Sequence, residues 1–178
     1  MFIASQLEIK ITHRVASELA SAIKATFQPV VQTHLYPRSQ IDVFVQVLQQ
    51  DGGLLQACIN GTTLALVNAG IPLTDFVCAL TGGVHSTSLL LDLTSLEEND
   101  IPHITVALMP RSGKMTLVTL ETPLHVDRFD EILRLAGEGC KVLHKEMKTA
   151  VQAKTNSLVQ SALGFGTMYG ADLAMQTD

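Results

Sequence analysis

The sequence predicts a mixed α/β domain of the α+β kind, and three observations carry that expectation. Apolar residues recur at three- and four-residue steps near the start, the middle and the end of the chain. Short runs rich in β-branched residues lie between those stretches, and Gly or Pro marks the joints. The 178 residues are 47% apolar, 16% charged and 4% aromatic, which is enough to enclose one sizeable core.

The elements follow in order. The opening stretch to about Val31 reads as a helix, with Val15, Leu19, Ala22, Ile23, Thr26 and Val30 on one face. Lys10, Arg14, Glu18 and Lys24 lie between them, and Pro29 shortens the end. Tyr36-Pro37-Arg38 turns the chain into an extended run over 41–48, with Ile41, Val43, Val45 and Val47 on one face. Asp51-Gly52-Gly53 stops that run. A second helix is expected over 54–69, ended by Gly70 and Pro72. Its Ala57, Cys58, Gly61, Leu64 and Ala65 form a small-residue stripe suited to close packing on a sheet. Strands are expected over 76–80, 89–93, 104–109 and 115–120, the last two joined by Ser112-Gly113-Lys114. The final long helix begins at about Asp127, a capping residue, with Asp130 and Glu131 in its first turn. Its core stripe is Phe129, Ile132, Leu133, Ala136, Cys140, Leu143 and Met147. The expected domain covers 7–160. Apolar periodicity is lost after Leu163, so 161–178 is expected to be a flexible tail.

Charge and cysteine usage exclude several function classes. The net charge is -5, against a freestanding basic nucleic-acid binder. Residues 39–110 contain no Lys or Arg but hold Asp42, Asp51, Asp75, Asp92, Glu97, Glu98 and Asp100. Any polyanion bound there needs basic groups from elsewhere. Cys58, Cys78 and Cys140 are scattered, which reads as reduced core thiols rather than a disulfide framework. No secretory signal and no membrane span are expected.

Few residues suggest chemistry. The Asp51-Gly52-Gly53 turn before a helix can cradle an anion, because first-turn amides point outward unpaired. Turn statistics favour a purely structural reading, and Leu54, Leu55 and Gln56 add no hydroxyl or guanidinium. Asp92 and Glu98 flank a strand end and could hold magnesium; a solvated acidic loop with Glu97 and Asp100 is the plainer reading. His13, His34, His85, His103, His125 and His144 show no zinc-ligand spacing. Arg128, Arg134, Lys141, Lys145, Lys148 and Lys154 on the last helix could touch RNA, but suit a solvated face better. No nucleophile elbow, Walker loop, dinucleotide fingerprint or zincin motif occurs.

Three stretches in this order, LYPRSQIDVFVQVLQQDGG, ACINGTTLALVNAGIPL and LLLDLTSLEEN, resemble the RNase PH family and, within it, the ring subunits of the exosome. The likeness runs from about Arg14 to Lys148. It implies a mixed sheet flanked by helices (ribosomal protein S5 domain-2-like), assembled into a ring that channels RNA. It implies RNA processing and degradation in the nucleus, nucleolus and cytoplasm. The implied partners are other ring subunits, cap proteins, RNA and a separately associated hydrolytic nuclease, with no membrane.

Active relatives degrade RNA by attack of inorganic phosphate on the terminal phosphodiester, with basic groups and a metal stabilising charge. Their phosphate site follows the DGG turn with Ser or Thr and then Arg. Leu54 and Leu55 stand there in this chain, leaving Gly52 and Gly53 as a remnant. A further family arginine comes from the first helix, where Val15 stands here, beside Arg14. The family's carboxylate motif DLxxxxD is represented by Asp92-Leu93, with Glu98 in the second place. The resemblance therefore implies a scaffold and RNA conduit with no catalytic residues, metal or cofactor, and with Arg14, Arg38 and Arg111 as RNA contacts. Relatives begin with several strands ahead of the first helix, so the resemblance implies a domain whose N-terminal part is missing. Two alternatives stay open: an active phosphate-dependent 3′–5′ exoribonuclease using magnesium and phosphate, and a truncated isoform that does not assemble.

Overall fold

The computed structural model describes residues 6–11, 16–86, 88–120 and 122–174, with side chains over 17–162 apart from Thr87 and Glu121. Two compact units divide at His144 and Lys145.

The first unit begins with β1 (Gln6–Ile11), α1 (Ala16–Phe27) and β2 (Gln40–Val45). β1 and β2 pair in parallel, Gln6 opposite Gln40 through Ile11 opposite Val45, so α1 serves as the crossover that a parallel pair requires. This corrects the helical reading of the opening residues. The sequence QLEIKI alternates polar and apolar, and that period of two, completed by pairing with β2, makes a strand. In α1, Ile23, Thr26 and Phe27 are fully buried, as is Val30 just beyond it. Each such apolar side chain contributes about 1.5–3 kcal/mol.

After α2 (Leu54–Asn68) come β3 (Cys78–His85), β4 (Ser88–Leu91), α3 (Ser95–Asp100), β5 (His103–Met109) and β6 (Lys114–Leu120). These strands form one antiparallel sheet in the order β4-β3-β5-β6. Side chains alternate across it. Val84, Ile104 and Val106 join Ile132 and Ala136 of α4 (Val126–Ala174) on one face. Ala79 and Ala107 join α1, β2 and α2 residues on the other.

Three sequence expectations are corrected here. β3 continues through Gly82 and Gly83 instead of stopping at Leu80, because the two glycines allow close approach. A Cβ on Gly82 would meet Ile132 at 2.7 Å, and one on Gly83 would meet Leu93 at 2.8 Å. The expected acidic loop after β4 contains a helical turn and a half, α3, opened by a capping box between Thr94 and Glu97. The small-residue stripe of α2 does not lie on the sheet. Ala57, Gly61 and Ala65 are exposed and line a groove of about 520 Å³ with Phe44 and Leu48, while Cys58, one position round the helix, is buried. α4 itself runs through Ala174, past the point where apolar periodicity fades. Helix propagation needs no apolar face, and each Gly costs only about 1 kcal/mol.

The face that α2 does turn to the sheet is polar at Gln56, Asn60 and Thr63. Asn60 donates to the Ala79 carbonyl at 2.9 Å and accepts from its N–H at 2.8 Å. Thr63 donates to the Val77 carbonyl at 2.7 Å, and Gln56 accepts from the Thr81 N–H. β4 pairs with β3 only from Gly82 to His85. Helix side chains thus satisfy the β3 backbone that β4 leaves uncovered, as buried polar groups demand.

The second unit, from Lys145 onward, is helical to Ala174. No helix among the described residues is long and apolar enough to cross a membrane.

Candidate functional site

The site joins two junctions far apart in sequence: the DGG turn that starts α2, and the segment from β4 into α3. Gly52 (φ 91°) and Gly53 (φ 58°) adopt left-handed backbone conformations. A Cβ on Gly52 would lie 2.2 Å from the Leu93 carbonyl oxygen, so the turn sits directly against the β4–α3 segment. The Gly53 N–H donates across this contact to Glu98 Oε1 at 2.8 Å. α2 has no side-chain cap and no acidic residue in its first turn. Glu98 supplies the carboxylate that the positive end of a helix favours.

Gln56 lies one turn into α2 and is 6% exposed. Its Oε1 accepts from the Thr81 N–H, and its Nε2 donates to Asp92 Oδ1 at 2.6 Å. The Thr81 donor fixes which end of the amide is oxygen, so the NH₂ group must face Asp92. Asp92 has φ 60°, and its own N–H donates to the Thr81 carbonyl at 2.9 Å. In α3, the Thr94 N–H and hydroxyl both donate to Glu97 Oε2, at 2.8 and 2.9 Å. Those bonds, the backbone one foremost, hold the Glu97 carboxyl below its usual pKa.

The structure therefore brings Gly52, Gly53, Asp92 and Glu98 together. Leu54 and Leu55 turn their side chains to the core that includes Ile59 and Val77. Arg38 is exposed, with φ 62°, ahead of β2. Arg111 is exposed in the β5–β6 turn, where its N–H and that of Ser112 donate to Asp75 Oδ2 at 3.1 and 3.2 Å. Neither arginine joins the hydrogen-bonded group around Asp92 and Glu98. Arg14 and Val15 lie outside the described residues. Gln56 is the site residue that sequence reasoning missed, having been weighed only for the hydroxyl or guanidinium it lacks. A polar side chain at i, with Asn60 at i+4 and Thr63 at i+7 on an otherwise apolar helix, was the available signal.

Asp92 and Glu98 are the two carboxylates in contact with the α2 side of the site. One oxygen of each carboxylate already accepts an N–H from the opposite junction. No group of three or more His, Cys, Asp or Glu among the described residues could hold a metal. The three thiols are buried, and burial pushes Cys78 up to about 12 and Cys140 to about 11.

Comparison with known proteins identifies the family. The 3′ exoribonuclease family, domain 1, matches residues 5–72, and domain 2 of the same family matches residues 75–139. The chain belongs to the RNase PH family. Gly53 and Gln56 come from the first family domain, and Thr81, Asp92 and Glu98 from the second, so the site is built across both. The chain is 42% identical over 140 residues to exosome complex component ski6 of Schizosaccharomyces pombe, across 79% of this chain and 58% of that protein. It is 39% identical to exosome complex component RRP41 of Homo sapiens, across 78% of this chain and 57% of that protein. It is 32% identical to exosome complex component SKI6 of Saccharomyces cerevisiae, across 82% and 59%. The chain thus spans less than three-fifths of the length of these relatives. The crystal structure of rice (Oryza sativa) Rrp46 matches with a TM-score of 0.77 at 22% identity, covering 83% of this chain and 73% of that one, which shows a shared fold. The expected RNase PH-like α+β fold is borne out.

Proposed function

We propose that the protein is a non-catalytic core ring subunit of the RNA exosome, serving 3′–5′ RNA processing and degradation as scaffold and RNA conduit. The pair Leu54-Leu55 carries the non-catalytic reading. In phosphorolysis, phosphate is the nucleophile, so the enzyme must hold it and balance its charge. Two alkyl side chains packed on the core provide neither a hydrogen bond nor a cation at that place. Charge-assisted bonds supply roughly 1.5–3 kcal/mol each, and backbone amides alone hold phosphate weakly. No metal or cofactor is needed for the role. The similarity to exosome components supports the ring assignment.

The partners in this reading are the other RNase PH-like ring subunits, the cap proteins, RNA and an associated hydrolytic nuclease, in the nucleus, nucleolus and cytoplasm. Arg38 and Arg111 are exposed and suited to phosphate contact. Arg14 is proposed as a third contact. Co-expression with the other ring subunits tests the assignment: this chain is expected to co-purify in a stoichiometric ring. A chain that elutes only as a free monomer in the presence of all ring partners would overturn it.

A further inference from the structure

The hydrogen-bonded group around Asp92 leaves unused the groove of about 520 Å³ between residues 43–50 and the outer face of α2. We propose that this groove receives an extended segment of a partner protein, apolar at alternate positions and basic at its ends, which adds as a strand beside β2. The inference goes beyond the ring assignment and does not depend on it.

Four observations carry it. β2 pairs with β1 on one edge and, among the described residues, with no strand on the other. Residues 46–50 continue the chain beyond β2 and make no backbone hydrogen bond among the described residues. Such an edge is a template for another strand, and proteins that keep one bare guard it with Lys, Pro or a bulge. Here residues 39–71 hold no Lys, Arg or Pro, and Phe44 and Leu48 beside the groove are 70% and 91% exposed. The floor is open as well. Ala57, Gly61 and Ala65 are spaced one turn apart, and a Cβ on Gly61 would meet nothing within 4 Å, which leaves room for incoming side chains. Thr62 also lines the groove, 2% exposed, and its hydroxyl has no hydrogen-bond partner among the described residues. Buried hydroxyls are normally paired, so the occupant's backbone has a group to answer. The ends of the groove select charge. Asp42 and Asp51 are exposed on either side of the lining stretch, and residues 39–110 contain no cation to balance them. A second copy of this chain would bring the same carboxylates to the same groove, and facing like charges oppose pairing. A basic-ended segment neutralises them instead. At about 3.3 Å per residue, the stretch 43–50 accommodates a strand of ordinary length. Main-chain bonds to the open edge would then give affinity, and alternate side chains on the α2 floor would give specificity.

The test uses the full chain at low ionic strength with the fluorescein-labelled peptide KVTVTVK as probe, and EVTVTVE and KVTPTVK beside it. Fluorescence polarisation should show saturable binding of KVTVTVK. EVTVTVE should bind at least about tenfold more weakly through like-charge repulsion, and KVTPTVK likewise, because its proline removes a ladder donor. In ¹H–¹⁵N spectra, saturating KVTVTVK should shift the amides of residues 46–50 and protect them from hydrogen exchange. Gly61→Leu sets a side chain on the groove floor, where open space and a better helix former preserve folding, and should weaken binding of KVTVTVK at least about tenfold. Absence of saturable binding, equal binding of the three peptides, or a Gly61→Leu chain that binds as well as the unaltered one would overturn the proposal. So would concentration-dependent dimerisation that protects residues 46–50 without peptide, which would assign the groove to a second copy.

Discussion

Replacing Gln56 with Ala tests whether the junction is a structural joint, and its cost can be worked from the contacts. Gln56 is 6% exposed, and Thr81, whose N–H it accepts, is fully buried. Truncation leaves that N–H without its acceptor inside the protein, a cost of about 1–3 kcal/mol. The bond to Asp92 adds little, because Asp92 is exposed and water can replace the lost donor. Lost packing of the buried stem brings the total to about 2–3 kcal/mol. For a chain of this size that corresponds to a fall in Tm of about 4–12 °C. Asp92→Asn is the control. Asn still accepts a hydrogen bond and tolerates the left-handed backbone at this position, so the change should stay within about 0.5 kcal/mol. Urea denaturation followed by circular dichroism reads both. A Gln56→Ala protein as stable as the Asp92→Asn protein would refute the claim that the amide is needed to satisfy β3.

Other outcomes follow from the same structure. Asn60→Leu removes both partners of the Ala79 backbone, whose N–H and carbonyl it binds, and should cost more than Gln56→Ala, about 3–4 kcal/mol in the same urea assay. The thiols should resist iodoacetamide at pH 8 in the folded chain and react when it is unfolded, since burial raises Cys58, Cys78 and Cys140 above the ordinary thiol pKa. Intact-mass measurement distinguishes the two states. The depressed Glu97 carboxyl stabilises the fold above its unfolded pKa, and that contribution is lost as the pH falls through the lower folded value. Glu97→Gln can keep the capping box while flattening this acid-side dependence of stability, measured by urea denaturation across the carboxylate range.

Much of the fold was legible because its signals are periodic. The spacing puts Ile23, Thr26 and Val30 on one inner face, and all three are fully buried, Val30 just past the end of α1; Ile132, Ala136 and Cys140 on α4 are read and buried likewise. What escaped depended on contacts distant in sequence. β1 alternates apolar and polar residues, but such a short segment takes its identity from a partner strand. Gly82 and Gly83 look like a stop and instead continue β3, because Ile132 and Leu93 approach them in contacts that the sequence spacing does not show. Thr94-Ser95-Leu96-Glu97 carries a capping-box spelling, so α3 is readable from the sequence despite its acidity.

The site divides the same way. Gly52, Gly53, Asp92 and Glu98 were singled out as types and by resemblance, and they meet. Their mutual bonding was not readable, because nothing in the spacing from Gly53 to Glu98 shows that the two groups touch. Gln56 carries no hydroxyl or cation, but its amide has a two-ended capacity to bridge a backbone amide and a carboxylate, which only the contact partners reveal.

The most direct test of the account is a phosphorolysis assay on an exosome ring reconstituted with this chain, given RNA, magnesium and inorganic phosphate. The Leu54-Leu55 pair predicts that this subunit releases no nucleoside diphosphates at any phosphate concentration. Release that rises with phosphate and disappears in Asp92→Ala would contradict it.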